Sequence, residues 1–366
     1  MATESGGRAG RGGRAARDDH AALAGGAPGR GTRGGLSLRT LLVVATWVIM
    51  LAMAGAAAAA SHPNVLNPAG SAAHDIKTLT LQVFAILSLV LLTVWVLLAY
   101  VIIKGRRRPE SRASQTAGNL RIEIVWTIIP AVIVALLFFL TVRTTEQLAF
   151  GDPSVRFAVV AHQWWWEFDF GPQGFKTANE VYVPNDHTLY ADLRSVDVIH
   201  SFWVPQMAGK VQTIPGRVNH IAFTPLATGT YLGECSDFCG MEHARMRFVM
   251  KVVSPAEYAA WVQHQQQPAQ AATGADAVAG EQLMPTIACG GCHTVRGTTM
   301  QDTFAPDLTH FGSRGGIGAY TLTNTPQNLL KWLQDPQAVK PGCNMPRIPL
   351  SLPQQQELVA YLEELK

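Results

Sequence analysis

The sequence predicts a membrane-anchored chain of several domains: a two-helix transmembrane hairpin, an antiparallel β sandwich or barrel, and a separate C-terminal domain beyond a polar linker. Three observations predict it. Residues 78–103 and 124–142 carry no charged side chain, and about 20 apolar residues cross the hydrocarbon core of a bilayer. From residue 151 the pattern shortens into alternating, strand-like runs. Residues 263–274 are then polar and low in complexity. Of the 366 residues, 48% are hydrophobic and only 15% charged, a low charged share that fits membrane spans.

In chain order, residues 1–60 read as a basic leader and signal sequence. Residues 1–39 are rich in Gly and Arg (Arg8, Arg11, Arg14, Arg17, Arg30, Arg33, Arg39) and lack the apolar content to fold alone. Residues 41–60 are apolar and end in Ala54-Gly-Ala-Ala-Ala-Ala-Ala60, the pattern of a secretory signal cleaved near Ala60, with an uncleaved first span as the alternative. The hairpin is expected over residues 75–147. Its connecting loop holds Lys104, Arg106, Arg107, Arg108, Arg112 and Arg121. The positive-inside rule therefore puts that loop in the cytoplasm and everything after Val142 outside. Charge is asymmetric: residues 1–150 carry 15 Lys/Arg against 7 Asp/Glu, and the remainder 14 against 19. A basic anchor thus holds an acidic outer part suited to basic partners.

Over residues 151–262, Arg156-Phe-Ala-Val-Val, Glu180-Val-Tyr-Val, Val218-Asn-His-Ile-Ala-Phe and Arg247-Phe-Val-Met-Lys-Val-Val253 read as strands separated by Pro, Gly, Asn and Asp turns. Residues 263–274, including His264, read as a flexible, solvated linker, and residues 275–366 as a further domain.

All five cysteines lie in the acidic half, and four of them form two ligand-like pairs, so metal chemistry is favoured over a disulfide framework. In Cys235-Ser-Asp-Phe-Cys239-Gly-Met-Glu-His243-Ala-Arg-Met246, two thiols, an imidazole and a thioether suit copper, zinc or an iron–sulfur centre rather than calcium or magnesium. A mononuclear blue-copper site needs one thiolate, so two in one loop suggest a pair bridging two coppers. A thioether is a weak copper ligand and a poor zinc ligand. The second pair, Cys289-Gly-Gly-Cys292-His293, has the form of a c-type haem attachment site, with a redox dithiol or half a zinc site as the bland alternatives.

Both runs sit in a wider resemblance. With Asp197-Val-Ile-His200-Ser-Phe-Trp-Val-Pro205, Ile214-Pro-Gly-Arg217-Val-Asn219 and Gly233-Glu-Cys235, residues 75–260 resemble subunit II of haem–copper cytochrome c oxidases. The resemblance implies a cupredoxin-like Greek-key barrel bearing a dinuclear copper (CuA) centre. In that centre Cys235 and Cys239 bridge, His200 and Met246 complete one copper, and His243 with the Asp237 backbone carbonyl completes the other. Ala305-Pro-Asp-Leu-Thr-His-Phe-Gly-Ser-Arg314, Asn344-Met345-Pro and a closing helix over residues 352–365 resemble a small all-α class I cytochrome c. That likeness implies covalent haem c on Cys289 and Cys292, with His293 and Met345 as axial ligands. Met284 and Met300 lie too close to the attachment site and lack the Met-Pro context. Cys343 is read as an inert packing residue.

Further roles are implied by the same resemblance. Trp164, in Gln163-Trp164-Trp165-Trp166-Glu167, matches the family's exposed electron-entry aromatic, against the alternative of a core-filling strand. Glu123 matches the mouth of a proton pathway, against that of an interfacial carboxylate. Asp237 stands where the family usually has Glu, which leaves open the magnesium ion held there at the subunit interface. Arg217 fixes structure or a haem propionate of a partner.

The implied function is the electron-transfer subunit of a terminal respiratory oxidase in a bacterial plasma membrane, a multi-pass chain with its copper and haem domains on the outer side. Electrons would pass from a donor (a soluble or membrane cytochrome c, or a quinol-oxidising complex) through haem c and copper. Their destination is the haem-bearing subunit I, with subunit III and lipid as further partners and no nucleic acid. Oxygen reduction would fall to that partner, since every ligand position on both centres can be filled by protein. The alternatives are a CuA-bearing component of a nitric oxide or nitrous oxide reductase, a membrane-anchored copper carrier or assembly protein, and a quinol oxidase subunit without copper. The full set Cys235, Cys239, His200, His243 and Met246 speaks against the last.

Overall fold

The computed structural model describes residues 63–106, 118–148 and 153–366. The expected signal sequence, and Arg107, Arg108 and Arg112 of the basic loop, lie outside the described residues. Two long apolar helices come first, α1 (Ser71–Arg106) and α2 (Leu120–Gln147). Their large apolar side chains, such as Leu89, Trp95, Val101, Val134 and Phe138, face outward, as lipid or a partner subunit requires. The hydroxyls of Thr80, Thr93, Thr127, Thr141 and Thr145 each donate to the carbonyl four residues earlier, which satisfies them without water. Asn119 caps α2 by accepting from the Arg121 and Ile122 amides. The start of α1 is bound to the β domain: Ala69 N–H donates to Gln206 O at 2.7 Å and Ser71 N–H to Thr224 O at 2.9 Å.

The β domain comprises β1 (Val155–His162), β2 (Trp165–Phe170), β3 (Phe175–Ala178), β4 (Glu180–Pro184), β5 (Leu189–Ser195), β6 (His200–Trp203), β7 (Val211–Thr213), β8 (Asn219–Phe223), β9 (Gly229–Cys235) and β10 (Arg247–Val253). They form two sheets, ordered β3-β2-β1-β5-β8 and β4-β10-β9-β6-β7, packed as a cupredoxin-like sandwich. Side chains alternate as a half-buried strand demands. Val155, Phe157, Val159 and Ala161 of β1 point inward, and Trp166, Phe168, Phe202 and Phe248 interlock edge-to-face at the centre. The expected antiparallel pairing holds for most neighbours, with two exceptions: β1 runs parallel to β5, and β4 parallel to β10. The chain crosses between sheets before returning, and strand composition alone does not encode that.

A correction concerns the linker. Residues 263–266 are the last turn of α3 (Pro255–Gln266), which starts at a Ser254–Glu257 capping box. Trp261 secures α3 by packing on Phe170, Phe175 and Tyr182. The following residues are held as well: Ala269 N–H donates to Arg296 O, and the Thr273 and Gly274 amides donate to the Glu364 carboxylate. His264, though exposed, packs against His310 with the ring centroids 4.4 Å apart and the planes tilted by 45°. Polar residues read as flexible by composition are thus fixed by backbone partners and one aromatic anchor.

The C-terminal domain is a cytochrome c fold of short helices, α4 (Ala275–Leu283), α5 (Pro326–Gln334), α6 (Pro336–Val339) and α7 (Leu352–Glu364). Its core gathers Met284, Val295, Met300, Phe311, Leu329 and Tyr361. Helix α4 crosses α7 at Gly280, where a Cβ would lie 2.2 Å from Glu357 O.

Candidate metal and cofactor sites

The first site is built by the end of β9, the loop leading into β10, and the first residue of β6. It brings His200, Cys235, Cys239, His243 and Met246 together. The two thiol sulfurs lie 3.8 Å apart, Cys235 Sγ is 3.9 Å from His200 Nδ1, Cys239 Sγ is 3.5 Å from His243 Nδ1, and Cys239 Sγ is 3.8 Å from Met246 Sδ. The Asp237 carbonyl oxygen faces the same centre, 3.2 Å from Cys235 Sγ. His200 and Met246 are wholly buried and both cysteines nearly so. Gly240, at φ 118°, lets the loop turn against the Trp164 ring, which a Cβ would approach to 3.0 Å.

Asp197 sets the orientation of His200: its Oδ1 lies 2.8 Å from His200 Nε2, which leaves Nδ1 toward the sulfurs. Such a carboxylate fixes a ligand imidazole in place. Burial works to raise the Asp197 pKa, but hydrogen bonds from His200 and from the Val198 and Gln163 amides hold it below the ordinary range. The thiol pair shares its protons unevenly. The hydrogen bond from Cys239 pulls Cys235 down, and the same contact together with burial pushes Cys239 up. Loading a metal would release the proton that remains. Two thiols, two imidazoles, a thioether and a carbonyl, with every other donor atom within 4 Å of a cysteine sulfur, are a donor set fitted to a soft or borderline metal.

The second site is a cavity of about 740 Å³, within the size range of cofactor pockets. Cys292, His293, Arg314, Trp332 and Met345 line it from the C-terminal domain, and His162, Trp164, Asn179 and Asp197 from the β domain. His293 Nδ1–H donates to Pro306 O at 2.7 Å, which fixes the ring and leaves Nε2 free. Burial lowers the His293 pKa, which favours the neutral imidazole that binds metal. Cys289 is on the same turn: the His293 amide donates to Cys289 O at 3.0 Å. Its thiol is buried and pushed up to about 11 by that burial. Gln337 braces the Met345 loop, donating to the carbonyls of Cys343 (2.7 Å) and Met345 (2.9 Å). Met284 and Met300 are packed in the core and do not line the cavity. The residues present fit a covalently attached haem.

The two sites share a wall. Trp164 lines the cavity, and its indole N–H donates to the Cys239 carbonyl at 3.0 Å. Expected to be exposed, Trp164 is half-buried, because the C-terminal domain covers it. Cys343 also lines the cavity, half-buried beside Gln337 Nε2 at 3.3 Å. The Asp237 carboxylate accepts from Gln212 Nε2 at 2.8 Å. Arg217 is exposed on the β domain, and Glu123 sits in the first turn of α2 beside Asn119, so both lie apart from the two sites. Sequence reasoning gave no role to Asp197, although an acid three residues before a ligand histidine was a usable signal. It also passed over Lys340 and Glu180, each of which bonds to residues of the other domain.

Comparison with known proteins agrees with this architecture. Residues 59–143 match the transmembrane domain of cytochrome c oxidase subunit II, residues 171–253 its periplasmic domain, and residues 277–366 match cytochrome c. Cytochrome c oxidase subunit 2 of Alkalihalophilus pseudofirmus is 35% identical over 311 residues, covering 82% of this chain and 90% of that one. The subunit 2 of Bacillus subtilis is 31% identical over 329 residues, covering 83% and 92%. Among solved structures, the periplasmic domain of cytochrome oxidase subunit II of Bradyrhizobium japonicum is similar, at 28% identity, 32% of this chain, 97% of that one and a TM-score of 0.32.

Proposed function

The chain belongs to the cytochrome c oxidase subunit II family, a membrane-anchored electron-transfer subunit of a haem–copper oxidase, and we propose that it carries its electrons through one covalent haem c and one dinuclear copper centre. When bound, each group supplies reversible one-electron acceptance and donation. Every other task falls to the protein. Cys235 and Cys239 would bridge the coppers, His200 with Met246 and His243 with the Asp237 carbonyl would complete them, and Asp197 holds His200 in orientation. Cys289 and Cys292 would anchor the haem, with His293 and Met345 as its axial ligands.

One observation carries the reading: nine of the ten expected ligand residues gather into two sites with a common wall, the Trp164 ring bonded to a copper-ligand backbone, while Cys289 is buried on the turn that carries His293. Trp164 is accordingly the proposed path from haem to copper, and the donor is proposed to meet the cytochrome domain. The outward-facing apolar side chains of α1 and α2 support contact with lipid and with the catalytic subunit, where oxygen is reduced; subunit III is a further proposed partner. The start of α1 is bound to the β domain and the end of α2 packs on it through Leu148, both opposite the basic loop, which favours copper and haem domains outside the membrane. Glu123 is proposed to stand at a proton-pathway mouth, and the Asp237 carboxylate to reach a magnesium ion through water.

The test is metal and haem analysis of the full chain, produced with haem-attachment machinery, and electron paramagnetic resonance on the same sample. Two coppers sharing one unpaired electron and one covalent haem are expected. Zinc, or a single localised copper, would overturn the dinuclear assignment.

A further inference from the structure

Lys340 is the least expected charge in the molecule. It lies at the end of α6, 2% exposed, and its ammonium donates to three backbone carbonyls: Trp164 at 2.7 Å, Arg245 at 3.0 Å and Gly318 at 3.0 Å. An ammonium has three donors, so all are used. The three acceptors come from three segments. Trp164 closes the wall between the sites, Arg245 stands between His243 and Met246 in the copper-ligand loop, and Gly318 lines the haem cavity.

We propose that Lys340 is the positioning residue that seats the cytochrome domain on the copper domain, fixing the wall the two sites share. The inference deepens the proposed relay and rests on it for its functional meaning.

The other contacts across this seam agree. Arg245 Nη1 donates to Val339 O at 3.1 Å and Asn344 Nδ2 to Gln163 O at 3.3 Å. At the far edge, buried Glu180 of β4 pairs with Lys251 at 2.6 Å and accepts from the Gly315 amide at 2.9 Å and the Tyr320 hydroxyl. Hydrophobic packing alone would not require a charge at position 340. No carboxylate pairs directly with the ammonium among the described residues, and burial lowers its pKa to about 8. An apolar side chain would be easier to bury there. A charge kept in such a place specifies geometry better than it adds stability. Because its acceptors are carbonyls held by their own segments, the ammonium fixes where one domain stands on the other, which apolar contact leaves free to slide.

The test uses the full chain, loaded with metal and haem. In Lys340→Met, amide exchange over residues 163–166 and 316–319 should rise roughly ten- to a hundredfold, as expected for losing hydrogen bonds to a charged group. Haem-to-copper electron equilibration should slow by about tenfold or more, and Lys340→Arg, which keeps charge and donors, should restore part of both. Unchanged exchange and rate in Lys340→Met would overturn the proposal. Should that variant fail to fold, amine acylation of the parent decides: Lys340 should react at least about tenfold more slowly than exposed Lys331, and equal reactivity would overturn it. Exchange and acylation do not depend on which metal is bound, so a failed copper assignment would show only in the metal analysis.

Discussion

Asp197 belongs to both sites: it orients His200 while its side of the loop lines the cavity. At this scale the sequence is legible where chemistry is local. The spacing Cys235, Cys239, His243, Met246 announces a soft-metal loop by itself, and Cys289-Gly-Gly-Cys292-His293 has the form of a haem-attachment site. His200 is 35 residues from Cys235, so only resemblance could join it to them. Met345 makes a sharp test. Its replacement by Ala should leave the haem covalently attached but remove the six-coordinate spectrum, whereas Met284→Leu, inside the core, should leave that spectrum intact. The reverse result would move the axial ligand. His162 gives a pH test. It stacks on Trp165 at 4.0 Å, and burial lowers its pKa from 6.5 to about 4. The unfolded chain therefore binds more protons between these values, and stability rises with pH across that window. The contribution is complete above 6.5 and is lost as the pH falls toward 4. In acid-unfolding curves His162→Gln should flatten the dependence there; an unaltered slope would assign it to other groups.

Among the elements, composition identified the strands that became β1, β4, β8 and β10, because Val, Phe and Ile are dense in them, with inward residues at period two in β1 and β8. It missed their partners, since parallel pairing depends on where the chain crosses between sheets. It also misread residues 263–266, where α3 continues: helix formation there draws on Trp261 packing against Tyr182, a contact 79 residues away in sequence. The crossing of α4 and α7 supplies the prediction at this scale. With Glu357 O 2.2 Å from where a Cβ would sit, and Tyr361 Cβ at 2.9 Å, Gly280→Ala must push the helices apart. The expected loss is about 1–3 kcal/mol, despite the better helix propensity of Ala. Thermal unfolding followed by haem absorbance reads it. A gain in stability would mean the crossing has slack.

For the whole molecule, the main consequence is that the cytochrome domain is seated rather than loosely tethered. A flexible tether would give the haem an effective concentration on the order of millimolar near the copper domain and would leave docking to an encounter governed by surface charge. In the structure the encounter has already occurred: residues from both domains enclose one cavity, and the bonds at Lys340 and Glu180 are buried. Salt screens exposed charges over roughly 10 Å at 0.1 M and affects buried contacts far less. Internal haem-to-copper transfer should therefore change by less than about twofold between low and high ionic strength. Delivery from an external donor, approaching across open surface, should depend strongly on salt. Flash-induced kinetics on one sample separate the two phases. A steep fall of the internal phase with added salt would show that the seat opens in solution, and that the cytochrome domain is not the resident donor to the copper site.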